Sequence, residues 1–341
     1  MTYNEILVKA RTCIGDNCIA CNECNGRACK NKIPGPGAKG IGDVAIRNYD
    51  KWKEIRIHMD TLVENKEIDT SIQLFDHTFQ YPIFAGPVGA VNLHYGDKYS
   101  DMSYNDILVS SCVKQGILAF TGDGTNPEVM KAATKAIRKE QGIGIPTVKP
   151  WNYDIIIEKL DYVKQSNAIA VAMDIDAAGL PFLKNMTPPA GSKSVDELQQ
   201  IIAACDDKPF IVKGIMTIQG ALKAKEAGAS AIVVSNHGGR VLDQCQSTAE
   251  VLKDIIDAAG NDMKIFVDGG IRSGADVFKA LALGADAVLI ARPFVTALYG
   301  GEEDGIKTYV DKIGNELVET MTMCGAHCLD EITRDMISIP W

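Results

Sequence analysis

From residue 81 onward the chain alternates between short apolar runs and longer stretches of mixed character. The runs are Tyr81–Ala85, Gly116–Thr121, Gly142–Val148, Ala168–Asp174, Pro209–Lys213, Ala231–Ser235, Lys264–Asp268 and Ala285–Ile290. Each is bounded by Gly, Pro, Asn or Asp and is too apolar to present a solvent face. That is the pattern of parallel strands covered on both sides. Helix signals fill the gaps. Asn126-Pro127-Glu128 joins an N-cap to a proline at the first helical position and an acid at the positive helix end. Ser194 and Glu197 have capping-box spacing. The Ala/Leu/Lys-rich stretches Ala221–Ala227 and Ala275–Leu283 run into Gly228 and Gly284, which end helices. Strands alternating with helices in this number predict an α/β fold of the (β/α)8 TIM-barrel class. An open, doubly wound sheet would want an early strand-Gly-x-Gly-x-x-Gly-helix unit, which the pattern lacks.

Two segments fall outside the alternation. Residues 1–43 form a Cys/Gly/Pro-rich N-terminal segment, and the barrel is expected over 44–341. Residues 175–208, with Pro181, Pro188, Pro189 and Gly191, make a longer connection after the fourth strand. Such a connection reads either as an active-site lid or as a tolerated surface insertion.

Composition narrows the classes without naming a function. The 341 residues are 46% hydrophobic and 23% charged, with a formal net charge of −9, an ordinary globular balance. The electrostatic grip of a nucleic-acid binder needs a basic patch, which this balance does not suggest. No apolar run approaches the ~20 residues of a membrane helix, and the opening MTYNEILVKART has no apolar signal core. The expectation is a cytoplasmic protein that binds neither nucleic acid nor membrane. Ten cysteines are many for that compartment, and five lie between Cys13 and Cys29. A disulfide framework does not suit a large chain kept reduced.

In a barrel, chemistry gathers at the C-terminal ends of the strands. Those ends hold Pro87-Val88-Gly89, Thr121, Lys149, Asp174, Lys213, Ser235-Asn236-His237-Gly238-Gly239-Arg240, Asp268-Gly269-Gly270-Ile271-Arg272 and Ala291-Arg292. His237 can take a proton at neutral pH, and the Arg240 guanidinium can hold a carboxylate by two prongs. Gly269-Gly270, followed by a helix start at Ser273 and flanked by Arg272 and Arg292, suits a phosphate. Tight turns with surface arginines are the plain alternative there.

Three stretches then carry a resemblance: Ser235-Asn-His-Gly-Gly-Arg240 with Leu242-Asp243; Val267-Asp-Gly-Gly-Ile-Arg272 through Ala285; and Ile290-Ala-Arg-Pro293. Together they resemble the FMN-dependent α-hydroxy acid oxidases and dehydrogenases. The resemblance is strongest over 209–338, looser over 44–175 and lost over 1–40. It implies FMN as cofactor, a small carboxylate substrate and a homo-oligomer, a tetramer or larger. It makes His237 the base that assists hydride transfer to flavin and Arg240 the clamp on the substrate carboxylate. Lys213 would lie beside the flavin pyrimidine, and Asp174 would be the partner of the histidine. Asp268, Gly269, Gly270, Arg272, Ala291 and Arg292 would hold the ribityl phosphate. Pro87, Val88 and Gly89 would meet the ring through their backbone, with Thr121, Lys149 and Ser235 bordering the cofactor.

The chain also departs from that family. A Gln-x-Tyr is replaced by Ile145-Pro-Thr-Val-Lys149, so Lys149 or Thr147 stands near the place of a substrate-binding tyrosine. A second carboxylate-binding arginine would fall at Ala177, and another tyrosine near Pro36-Gly37. Arg27 or Lys39 of the N-terminal segment is a candidate replacement cation. That segment carries Cys18-x2-Cys21-x2-Cys24-x4-Cys29, which reads as a zinc site, an iron–sulfur site or unligated thiols. Two other functions stay open: an FMN-dependent isomerase or reductase on the same fold, and a metal- or redox-responsive binding protein.

Overall fold

The computed structural model describes residues 1–341, apart from the side chain of Pro181. Eight strands form one sheet: β1 Ile83–Ala85, β2 Phe120–Thr121, β3 Ile145–Val148, β4 Val171–Asp174, β5 Phe210–Ile215, β6 Ala231–Val234, β7 Lys264–Asp268 and β8 Ala287–Ile290. Neighbouring strands are parallel, in the order β1-β8-β7-β6-β5-β4-β3-β2. A parallel bridge between Ala85 and Ala119 joins β1 to the start of β2 and closes the barrel. Each expected run holds the start of one of these strands, and only β5 continues past its run, by two residues to Ile215. β3, β4, β6 and β8 are buried at every residue, which is why their sequences show no alternation.

The helices follow the sequence signals. Asn126 accepts a hydrogen bond from Glu128 N–H and starts Pro127–Lys139. Ser194 and Ser273 cap Val195–Ala203 and Gly274–Ala282 through capping boxes. The hairpin Ile72–Leu74 with His77–Phe79 precedes β1, and Phe79 packs edge-on against Phe84 at the barrel's N-terminal end.

The N-terminal segment is docked on the barrel. The helix Tyr3–Arg11 buries Ile6, Leu7 and Ala10, and it runs against the C-terminal helix Arg292–Cys324. The loop that follows is tied down by a charged pair between Arg27 and Asp50, and by a hydrogen bond between Tyr49 and Glu23. Residues 175–208 hold a 3-10 turn, Ile175–Gly179, and the helices Pro181–Lys184 and Val195–Ala203. The first part packs on the loop after β3, where Phe182 lies at a tilt to Trp151 and Asn152 donates to Pro188 O, while Val195–Ala203 packs between its neighbouring helices Tyr153–Ser166 and Ile218–Glu226.

Candidate active site

The loop after β6 presents His237 in an uncommon conformation. Its φ is +55°, in the left-handed region that non-glycine residues mostly avoid. Ser235 Oγ takes the His237 N–H (3.1 Å) and the Lys213 Nζ donor (2.9 Å), fixing the start of the turn. Gly239 must be glycine, because its φ is +80° and a Cβ there would come within 2.7 Å of Ala38 and 2.8 Å of Val44. A backbone strained at this one loop is usual where a side chain must be aimed.

His237 Nδ1 meets Asp176 Oδ1 at 3.0 Å. Asp174, expected to pair with the histidine, instead meets Lys149 Nζ at 3.1 Å. The reason is local. The chain leaves β4 at Asp174 and coils directly into a 3-10 turn, which carries Asp176 inward under the imidazole. The sequence held a signal for this residue: Asp174-Ile-Asp176 places two acids two positions apart at a strand end, and alternation sends both to one side. The neighbouring charges set the two acids apart. Burial raises the Asp174 carboxyl above its ordinary range, and Lys149 and His237 offset only part of that. Burial pushes Asp176 the same way, but the charges of His237 and Lys213 and the histidine hydrogen bond outweigh it and hold Asp176 below its ordinary range. Asp176 is therefore the ionised partner. Lys213 is buried at 3% exposure. Burial alone would lower its ammonium, yet Asp268 (3.3 Å), Asp176 and Asp174 keep it raised and charged.

Arg240, the expected clamp on a substrate carboxylate, is anchored by the N-terminal segment. Its guanidinium turns toward the N-terminal segment, where Nη1 donates to the carbonyls of Gly35 and Gly37 and Nη2 lies 3.1 Å from His94 Nε2. The Gly35 N–H donates to His94 Nδ1. Burial and the Arg240 charge lower the His94 imidazole to about 4. His94 stands in the short helix Val91–Tyr95, and as a lone histidine outside any motif it carries no sequence signal of this contact. Neither proposed replacement cation reaches the cluster. Arg27 is engaged by Asp50, and the Lys39 side chain stays exposed beside Val241 O. Lys149 is the cation that the third strand delivers.

The phosphate arginines divide. Arg272 was expected to bind phosphate, but its Nε and Nη1 donate to Cys24 O and Ile271 O, and Nη2 reaches Cys24 Sγ. The C-x2-C loop lies against this arginine and supplies its acceptors. Arg292 keeps one hydrogen bond, to Gly238 O. Gly269 and Gly270 turn with φ of +88° and +84° just before the helix Gly274–Ala282. Their N–H groups and Arg292 remain suited to a phosphate.

An FMN bound at the mouth would meet unused polar groups. Thr121 Oγ1, Thr147 Oγ1, Asp174 Oδ1, Asp176 Oδ2 and Asp268 Oδ1 are buried without hydrogen-bond partners. They stand at the ends of β2, β3, β4 and β7 or just beyond. Each orphaned group costs about 1–3 kcal/mol unless something binds it, and together with Lys213 they make a donor–acceptor ring for a polar heterocycle and its sugar chain. Pro87, Val88 and Gly89 follow β1 half-buried. The residues present fit the cofactor.

A barrel with a base, a buried lysine and unused polar groups at its C-terminal mouth defines a flavin-dependent oxidoreductase. The chain matches the FMN-dependent dehydrogenase family over residues 36–182 and 176–339, and it belongs to that family. It is 30% identical over 327 residues to a peroxisomal (S)-2-hydroxyacid oxidase of Arabidopsis thaliana, an alignment covering 85% of this chain and 86% of the relative. It is 43% identical to the glycolate oxidase of Spinacia oleracea over 133 residues, 39% of this chain and 36% of that one. Among solved structures, the fold superposes on mandelate oxidase with a TM-score of 0.79 at 21% identity, covering 99% of this chain and 97% of that one. Lactate oxidase from Pediococcus acidilactici gives the same score and identity over 100% and 95%.

Proposed function

We propose that this enzyme oxidises a small 2-hydroxy acid to the 2-oxo acid, with His237 as base. The observation that carries the reading is the partly buried His237–Asp176 pair beside the buried Lys213. The substrate classes named for the relatives support it. Asp176 accepts from Nδ1, so Nε2 is left to take the hydroxyl proton, and the ionised carboxylate favours the imidazolium that forms. When bound, FMN supplies the hydride acceptor. Lys213, charged and buried, stabilises negative charge against it. Thr121, Thr147 and Asp268 would hold the cofactor by their free polar atoms, and Arg292 with Gly269 and Gly270 by its phosphate.

Two cations serve the substrate carboxylate. Arg240 has no carboxylate partner among the described residues, and carbonyl groups satisfy its N–H groups without cancelling its charge. Lys149, near the place of the family's tyrosine, offers an ammonium as the second cation, held at 3.1 Å by Asp174. A lysine point charge is less directional than a hydroxyl, so the substrate pocket differs from the relatives' while the base is retained. We place the enzyme in the cytoplasm as a homo-oligomer; ten unpaired cysteines suit a reducing compartment.

The test is anaerobic mixing of the FMN-loaded protein with a panel of 2-hydroxy acids. At least one acid is expected to bleach the flavin absorbance and release its 2-oxo product. A protein that keeps its flavin oxidised with every 2-hydroxy acid, yet isomerises or reduces a conjugated carboxylate, would overturn the substrate reading.

A further inference from the structure

We propose that Cys18, Cys21, Cys24 and Cys29 hold a four-iron iron–sulfur cluster beside the barrel mouth. The flavin chemistry does not use these residues, and the proposal does not depend on it. All four side chains line one cavity, together with Arg292, Tyr95 and Thr296. Each is an unpaired thiol, partly buried. The loop carrying them is held from several sides. Arg11 binds Ala20 O and the Asn22 side chain, Arg27 pairs with Asp50, and Arg272 binds Cys24 O at 2.7 Å. Left-handed turns at Ala20 and Gly26 (φ +41° and +82°) fold the run back on itself so that all four residues reach the same space.

The charge around the cavity points the same way. Arg272 Nη2 lies 3.9 Å from Cys24 Sγ, and Arg292 is in the lining. Neither guanidinium has a carboxylate partner among the described residues. Arg272 beside Cys24 and Arg292 in the cavity wall offer positive charge that suits thiolates bound in an anionic centre.

Spacing separates the two candidate occupants. Tetrahedral zinc at about 2.3 Å from each sulfur draws the sulfurs to about 3.8 Å from one another. No three of these sulfurs lie within 4.8 Å of one another among the described residues. A four-iron cluster bonds each thiolate to a different iron and takes sulfurs spread around a cavity. The two-residue gaps among Cys18, Cys21 and Cys24 are those of ferredoxin-like runs; Cys29 is placed as the fourth ligand by the cavity it shares with them, not by spacing.

The experiment is anaerobic purification of the full chain, with iron, acid-labile sulfide, zinc and FMN measured on one sample. Electron paramagnetic resonance is recorded after dithionite reduction. The expected result is about four irons and four sulfides per chain, with a signal of a reduced cluster. Cys24→Ser and Cys29→Ser are expected to lose most of the iron while keeping FMN. Should those variants not fold, wild-type chain stripped of metal and rebuilt with ferrous iron and sulfide decides the matter, zinc alone being the parallel arm. One zinc per chain, or no iron taken up on reconstitution, would overturn the cluster. Wild-type chain that carries the iron and sulfide but no FMN would count against the flavin reading and leave this one standing, whereas Cys24→Ser and Cys29→Ser variants that keep their iron would overturn it.

Discussion

His237 and its neighbours decide the chemistry at the scale of single residues. His237→Asn keeps the size of the side chain and removes the base. Flavin reduction by substrate is expected to fall about 10²–10⁴-fold, read by anaerobic stopped-flow at equal flavin content. The two aspartates are separable. Asp176→Asn strips the group that holds Nδ1 and is expected to slow reduction about 10²-fold. Asp174→Asn leaves the histidine contact intact and should alter apparent substrate affinity through Lys149 more than the rate. Equal effects of the two substitutions on the rate would sink the assignment of Asp176 as the histidine's partner. His94 gives a pH prediction with a definite sign. Its imidazole is lowered from 6.5 to about 4 in the folded state, so the unfolded chain takes up a proton first as pH falls. Stability from this group is intact above about pH 6.5 and is lost as pH falls toward 4. The ring is partly exposed, so the loss is roughly 1–2 kcal/mol. Urea titrations at pH 7 and pH 5 should show a smaller drop for His94→Gln than for wild type.

The elements show which parts of the site can be read from a sequence and which cannot. Strands and helix starts were legible because burial on both faces and capping chemistry are local properties. Ser194, Ser273 and Asn126 cap where their spacing implies. His237, Lys213 and Asp268 were legible as polar residues ending apolar runs. The partner of the histidine was not, because it depends on how the chain coils after β4. Nor were the directions of Arg240 and Arg272, since their acceptors come from a segment some two hundred residues away. Asp123 illustrates a tie that joins elements. It lies after β2, is fully buried, and accepts from Lys149 N–H, Trp151 Nε1 and Lys159 Nζ around β3 and the helix Tyr153–Ser166. Removing it strands a buried ammonium, so Asp123→Ala should cost about 3–5 kcal/mol in denaturant unfolding. Gly239→Ala should cost roughly 1–3 kcal/mol from backbone strain and more from contact with Ala38 and Val44, with weakened FMN retention as the accompanying sign.

Across the whole molecule, the barrel supplies the flavin bed and base, while the N-terminal segment reshapes the mouth. Its glycine carbonyls hold Arg240, its cysteine loop holds Arg272, and the first helix docks on the last. The base and the buried lysine of the barrel thus sit under a cover supplied by residues 1–43, most of which precede the start of the family match at residue 36. The central claim is that this mouth removes hydrogen from a 2-hydroxy acid through His237. Single-turnover reduction with the acid that bleaches the flavin, compared with the same acid deuterated at C2, tests it most directly. A rate several-fold slower with deuterium, and nearly abolished in His237→Asn, is what the account predicts. Equal rates for the two isotopologues, or undiminished reduction in His237→Asn, would contradict it.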